Sequence, residues 1–199
     1  MGFVNKPKTV KGQETLDKII LEAERLFSEQ GYYKTSVKEI TKAAEVGIGT
    51  FYIYFKDKRS VYQAILTDYG HIIRKTIAEN ISQADTRIEA ERIGIETFLN
   101  LVRTRPSMYN VIWQALYVDK KLFIDYYTTF SENYKKQIRA AQDKGEIIKS
   151  YDPEVLSYML MGISNFIGLR YAMFDDKDDL DPILDDVMKV MVKGLYSKE

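Results

Sequence analysis

Residues 35–55, TSVKEITKAAEVGIGTFYIYF, constrain this chain more than any other stretch. Val37, Ile40, Ala43 and Ala44 recur at helical spacing, which predicts a short amphipathic helix. Thr35 or Ser36 can cap its start, because a hydroxyl there accepts a hydrogen bond from an otherwise unpaired backbone N–H. Glu45-Val46-Gly47 interrupts the pattern, and glycine tolerates the bend. Residues 48–55 then read as a second short helix. Phe51 and Phe55, four apart, share the face that locks onto a core, while the hydroxyls of Thr50, Tyr52 and Tyr54 fall on more exposed faces. Two helices joined by so short a turn make the unit whose second helix enters the major groove of DNA.

Gly31 to Lys58 as a whole, GYYKTSVKEITKAAEVGIGTFYIYFKDK, resembles the DNA-binding signature of the tetracycline-repressor (TetR) family. The matching positions are Gly31, Tyr32, Thr35, Ser36, Val37, Ile40, Ala43, Ala44, Val46, Gly49, Thr50, Tyr52, Tyr54, Phe55 and Lys58. The sequence departs from that pattern at Thr41, where alanine is usual, at Glu45, where the turn usually has glycine, and at Ile48, a position often polar or basic. The resemblance implies an all-α fold. It places a helix-turn-helix domain over residues 13–73 and a ligand-binding and dimerisation domain over residues 74–199, with about nine helices in all. It also implies a sequence-specific transcriptional regulator, a repressor released by a small hydrophobic or aromatic effector and acting as a homodimer on a palindromic operator in double-stranded DNA. The DNA contacts expected on this basis are Thr35, Ser36, Lys38, Gly47, Gly49, Thr50, Tyr52, Tyr54 and Lys58. Lys58 follows Asp57, a candidate cap of the next helix, so its ammonium is expected to clamp a phosphate beside free N–H groups at a positive helix end.

The remaining pattern is helical throughout. Leu16, Ile19, Ile20, Ala23, Leu26 and Phe27 form an apolar stripe over residues 15–30, with Gly31 as the stop. Further helices are predicted over residues 58–82, 87–104, 107–118, 121–144, 154–174 and 183–197. The last two are announced by the Asp-Pro pairs Asp152-Pro153 and Asp181-Pro182. Residues 175–179, DDKDD, read as a solvated acidic connector; they lack the glycine and terminal glutamate of a calcium loop.

Net charge is zero, which taken alone argues against a nucleic-acid partner. Its distribution argues the other way: residues 1–60 carry 11 Lys/Arg against 8 Asp/Glu, and residues 150–199 carry 5 against 10. Such a gradient attracts one end of the molecule to DNA and repels the other. Lys6, Lys8 and Lys11 stand in an acid-free N-terminal run, readable either as a frayed terminus or as a basic arm.

Several classes are argued against. There are no cysteines and a single histidine, His71, so neither a thiol nucleophile nor a Cys/His metal site is expected. No Gly-rich phosphate loop or nucleophile elbow is present, so no enzymatic role and no cofactor are expected. No apolar run is long enough to span a bilayer and the start lacks an apolar signal region, which points to the cytoplasm. The alternative to an effector-controlled regulator is a helical interaction or DNA-compaction module. For an effector, Phe98, Tyr109, Trp113, Tyr126, Phe130, Met159 and Phe166 offer an aromatic and Met-bearing lining, although aromatic stripes at this spacing more often pack a core. For pairing, the helices over residues 154–174 and 183–197 offer wider apolar surfaces than one monomer face needs, with Val190 and Gly194 central to the second.

Overall fold

A computed structural model of the chain describes residues 4–175 and 179–194. The described residues hold nine α-helices and no strand: α1 (Val10–Gln30), α2 (Val37–Ala43), α3 (Ile48–Tyr54), α4 (Lys58–Asn80), α5 (Arg87–Thr104), α6 (Pro106–Val118), α7 (Lys120–Asp143), α8 (Pro153–Ile167) and α9 (Asp181–Lys193). A 3-10 turn (Ile81–Gln83) follows α4, and a π-helical stretch (Gly168–Phe174) continues α8. Two compact units result. One runs to His71 and takes back Ser107–Tyr127; the other holds Ile72–Pro106 and the chain from Thr128 onward. The first division falls between His71 and Ile72, and residues 107–127 side with the N-terminal unit.

In the first unit, α1 begins earlier than its apolar stripe suggests. Thr9 caps it, accepting from the Gly12 N–H at 3.1 Å, so the polar residues Lys11, Gln13 and Glu14 are already helical. Leu16, Ile19, Ala23 and Phe27 are buried along one face. Gly31, at φ +86°, ends the helix in a conformation that costs other residues energy. Phe27, Tyr32 and Tyr62 pack ring against ring, with centroids 5.1–5.4 Å apart. The buried Tyr62 hydroxyl donates to the Val111 carbonyl at 2.6 Å, which satisfies the one polar atom that ring brings into the core. Gln114 of α6 closes the end of α1 twice over: its amide donates to Phe27 O at 2.9 Å and its oxygen accepts from Tyr32 N at 3.0 Å.

In the second unit, Ile95 and Leu99 of α5 pack with Leu180 and with Leu184, Val187 and Met188 of α9. Burying aliphatic side chains of this size contributes about 1.5–3 kcal/mol each. The π-helical stretch begins at Gly168, where a Cβ would stand 3.3 Å from Leu99 Cδ2, so glycine is what admits α5 there. The sequence reads residues 154–174 as one helix; the structure has α8 to Ile167 and π-helical turns from Gly168 to Phe174. Asp152 caps α8 and Pro153 opens it, as the dipeptide predicts. At α9 the cap is instead Leu180, and Asp181 lies in the first turn. Residues 176–178 of the expected acidic connector over 175–179, and the last residues of the expected ninth helix, lie outside the described residues. A polar cluster is also buried here. Arg87 and the Tyr134 hydroxyl both donate to the Glu91 carboxylate, and the Arg87 guanidinium lies 5.5 Å from the Tyr134 ring centre. Burial and the Glu91 charge push the Tyr134 hydroxyl well above its ordinary pKa.

Candidate nucleic-acid interface

The two short helices are held in place from behind. Thr35 is fully buried: its hydroxyl donates to Gly31 O at 2.9 Å and accepts from the Gln30 amide at 3.2 Å. The cap of α2 is Ser36, in a reciprocal box. Ser36 Oγ accepts from Glu39 N at 3.2 Å, while the Glu39 carboxylate accepts from Ser36 N at 2.7 Å and Ser36 Oγ at 2.6 Å. The Ser36 hydroxyl and then its N–H hold the Glu39 carboxyl below the usual carboxylate range. Thr41, the departure from alanine, settles its hydroxyl on Lys38 O at 3.1 Å. Glu45 turns the chain at φ +56°, the left-handed region that glycine normally fills.

Lys58 is committed to this scaffold rather than presented for a phosphate. Its ammonium donates to Tyr32 O and Thr35 O, both at 2.7 Å, and lies 4.1 Å from the Tyr32 ring centre. Burial lowers its pKa, partly offset by the Glu39 charge. Lys58 thus ties the start of α4 to the turn between α1 and α2. Asp57 does cap α4, accepting from Ser60 N at 2.7 Å.

The outward side of α3 follows. Phe51 and Tyr54 are buried, and Phe55 packs on Phe51 with ring centres 5.5 Å apart. Tyr54 was expected to turn its hydroxyl outward; its face instead packs toward the start of α1, so a Cβ on Gly12 would stand 3.5 Å from that hydroxyl. The face that remains holds Ile48, Tyr52 and Ile53 at 53%, 54% and 58% exposure. Gly49 stands among them with open space around it, and Thr50 is half-buried. Gly47 is exposed at the α3 cap. Lys38 and Lys42 are exposed on α2, and Lys34 and Lys56 flank the motif. Of the expected contacts, then, Lys38, Gly47, Gly49 and Tyr52 are exposed together. Ser36 is exposed but engaged in its box, and Thr35, Tyr54 and Lys58 face inward.

Sequence reasoning missed two contributors. Ile53 belongs to the outward row by its i, i+4 relation to Gly49, a signal that was legible. Asn5 was not legible: its backbone N–H donates to Tyr54 O and its amide to Ile53 O, both at 3.0 Å, which closes the last turn of α3; the exposed Lys6 and Lys8 follow it in the chain.

The residues expected to line an effector pocket are divided between the units. Tyr109, Trp113 and Tyr126 belong to the first, where Tyr109 is buried beside Trp113 at 6.0 Å and burial pushes the neighbouring Tyr127 hydroxyl up to about 12. Phe98 and Phe130 are half-buried in the second, Phe130 under the Arg74 guanidinium at 5.1 Å. Met159 and Phe166 point outward at 57% and 64% exposure, because the inner side of α8 is taken by Ser157 and Met161. A half-open cleft of about 430 Å³ in the second unit is lined instead by Thr76, Asn80, Ile93, Glu96, Thr97, Asn100, Leu101 and Thr104. Among the described residues no three His, Cys, Asp or Glu side chains are grouped to hold a metal ion, and no helix is long and apolar enough to cross a membrane.

Residues 19–65 match the family model for bacterial regulatory proteins of the tetR family. Over that stretch the chain is similar to the tetR family. Over 196 residues it is 25% identical to the HTH-type transcriptional regulator HbdR of Aromatoleum sp. (strain CIB), covering 96% of this chain and 84% of HbdR. Its fold matches FadR of Bacillus subtilis, a transcriptional regulator solved with stearoyl-CoA, with a TM-score of 0.79 and 22% identity over 91% of this chain and 100% of that one. It also matches AibR, solved with isovaleryl coenzyme A and operator DNA, with a TM-score of 0.67 and 20% identity over 92% and 100% of the two chains. The protein is a DNA-binding transcriptional regulator.

Proposed function

We propose that the regulator is a repressor whose α3 reads an operator half-site and whose second unit releases DNA on binding an acyl-coenzyme A. One observation carries the DNA reading: α3 leaves Ile48, Gly49, Tyr52 and Ile53 outward on a frame whose polar groups are satisfied from within. Lys38, Lys42 and Lys56, with Lys6 and Lys8 on the arm that Asn5 pins, supply phosphate contacts around that face. Pairing of two copies is assigned to the exposed apolar residues Val155, Tyr158, Met159 and Phe166 of α8 with Val190 of α9. Val155, Tyr158, Met159 and Phe166 repeat at helical spacing along one side, a contiguous stripe of the kind that marks an interface. To engage a two-fold operator, the two α3 helices of a pair must stand about 34–36 Å apart, one turn of DNA.

The effector class comes from FadR and AibR, both solved with thioesters of coenzyme A. The test is a titration. Duplexes retained by the protein from a random-sequence pool are bound by the wild type, and stearoyl-CoA, isovaleryl-CoA or free coenzyme A is added. Release by a thioester but not by free coenzyme A is the expected result. Indifference to both thioesters overturns the effector class and leaves the DNA reading standing.

A further inference from the structure

We infer that this regulator recognises its half-site through thymine methyl groups, with Ile48 and Ile53 as the side chains that meet them; the inference rests on the assignment of α3 as the reading helix. The sequence of α3, IGTFYIY, contains no ammonium, guanidinium, amide or carboxylate. Guanine is read in the major groove by Arg or Lys, adenine by Asn or Gln, and cytosine by Asp or Glu, so α3 carries none of these partners. The thymine C5-methyl is the apolar feature of that groove, and apolar side chains are what α3 turns outward.

Two further observations agree. Ile48 and Tyr52 stand one turn apart, as do Gly49 and Ile53, which makes two adjoining rows on one face. At ~1.5 Å per residue, Ile48 and Ile53 are separated along the axis by roughly 7 Å, about two base-pair steps. Gly49 has no atom within 4 Å of where a Cβ would stand, so nothing inside the protein requires glycine in this helix. A bare backbone on the outward face lets the helix approach the groove closely. The hydroxyls of Tyr52 and Thr50 remain to hydrogen-bond base edges or phosphates, and the surrounding lysines lie on α2 and beyond the end of α3.

The experiment uses the full chain and duplexes it retains from a random-sequence pool. Each thymine of the half-site is replaced in turn by deoxyuridine, which removes the methyl and keeps every hydrogen-bonding group. Affinity is expected to fall about three- to fivefold per contacted methyl, the size of one buried carbon. In Ile48→Ala and Ile53→Ala, each checked for an unchanged melting transition, sensitivity should vanish at one thymine and persist at the other. Retained half-sites without thymine, or duplexes that bind equally well with deoxyuridine, overturn the inference while DNA reading by α3 stands. Failure of the wild type to prefer any duplex over arbitrary sequence, or an effect of Ile48→Ala on capture of a protein partner instead, would remove both readings.

Discussion

The two units of the regulator use their polar groups differently. In the first, donors inside the frame reach carbonyls distant in sequence: Lys58 to Tyr32 and Thr35, Gln114 to Phe27, Tyr62 to Val111 and Asn5 to Ile53. The second exposes large apolar side chains on α8 and α9 and buries a charged cluster around Glu91. A reading helix must present one geometry, and side-chain bonds to backbone oxygens fix it without filling the outward face. A unit that pairs with a copy of itself keeps apolar area in reserve until the partner arrives.

The sharpest break of this contrast is Phe166→Glu together with Val190→Glu. Both sites are exposed, so the monomer should fold with an unchanged helical spectrum. Loss of the paired reader should lower operator affinity by roughly 100-fold or more. Sedimentation at micromolar concentration checks it; a double variant that stays dimeric moves the interface away from α8 and α9. Next comes Lys58→Ala. It strands two carbonyls that shared a charged donor, and a stability loss of about 2–4 kcal/mol in urea unfolding is expected. A change confined to the salt dependence of DNA binding, with stability untouched, would return Lys58 to the role of a phosphate clamp.

A smaller effect, opposite in sign, is expected of Glu45→Gly. Relief of the left-handed strain, about 1–2 kcal/mol, exceeds the entropic cost of glycine, about 0.5–1 kcal/mol, so the variant should melt higher by a few degrees. The least effect belongs to Glu39 and is visible only against pH. Its carboxyl titrates below the ordinary value in the folded chain. The capping contribution is therefore fully present above the unfolded carboxyl pKa and is lost as pH falls through the lower, folded one. Wild-type stability minus that of Glu39→Gln should shrink on acidification through about pH 4; a difference that stays flat denies the box its charge.

What could be read in the sequence was local. Gly31 as a stop, Asp57 and Asp152 as caps, and Phe51 and Phe55 as anchors depend on neighbours within a turn or so, and the structure has them in those roles. The start of α1 was missed because Lys11, Gln13 and Glu14 are polar and exposed, so the apolar stripe registers only from Leu16. Lys58 was misjudged because its carbonyl partners lie 23 and 26 residues upstream, where no periodicity points. Tyr54 shares a residue type and an i, i+2 spacing with Tyr52, yet a helix separates such positions by about 200°, and Tyr54 takes the inner side. Met159 and Phe166 fit an apolar lining equally well as pocket or as outer stripe; only the burial of Ser157 and Met161 opposite them decides.

The placement of Gln114 bears on how such a protein is made and re-engineered. A ribosome that has released only the residues up to His71 has supplied every side chain of the helix-turn-helix. It has not yet supplied Gln114, Tyr117 or Asp119, whose groups meet Phe27, Tyr33 and Arg59. The nascent reader waits for some fifty further residues before its α1–α2 turn is closed. A chimera fused at residue 71 would carry the whole recognition motif and leave that turn open, whereas one that also brings residues 107–127 would transplant the reader with its latch.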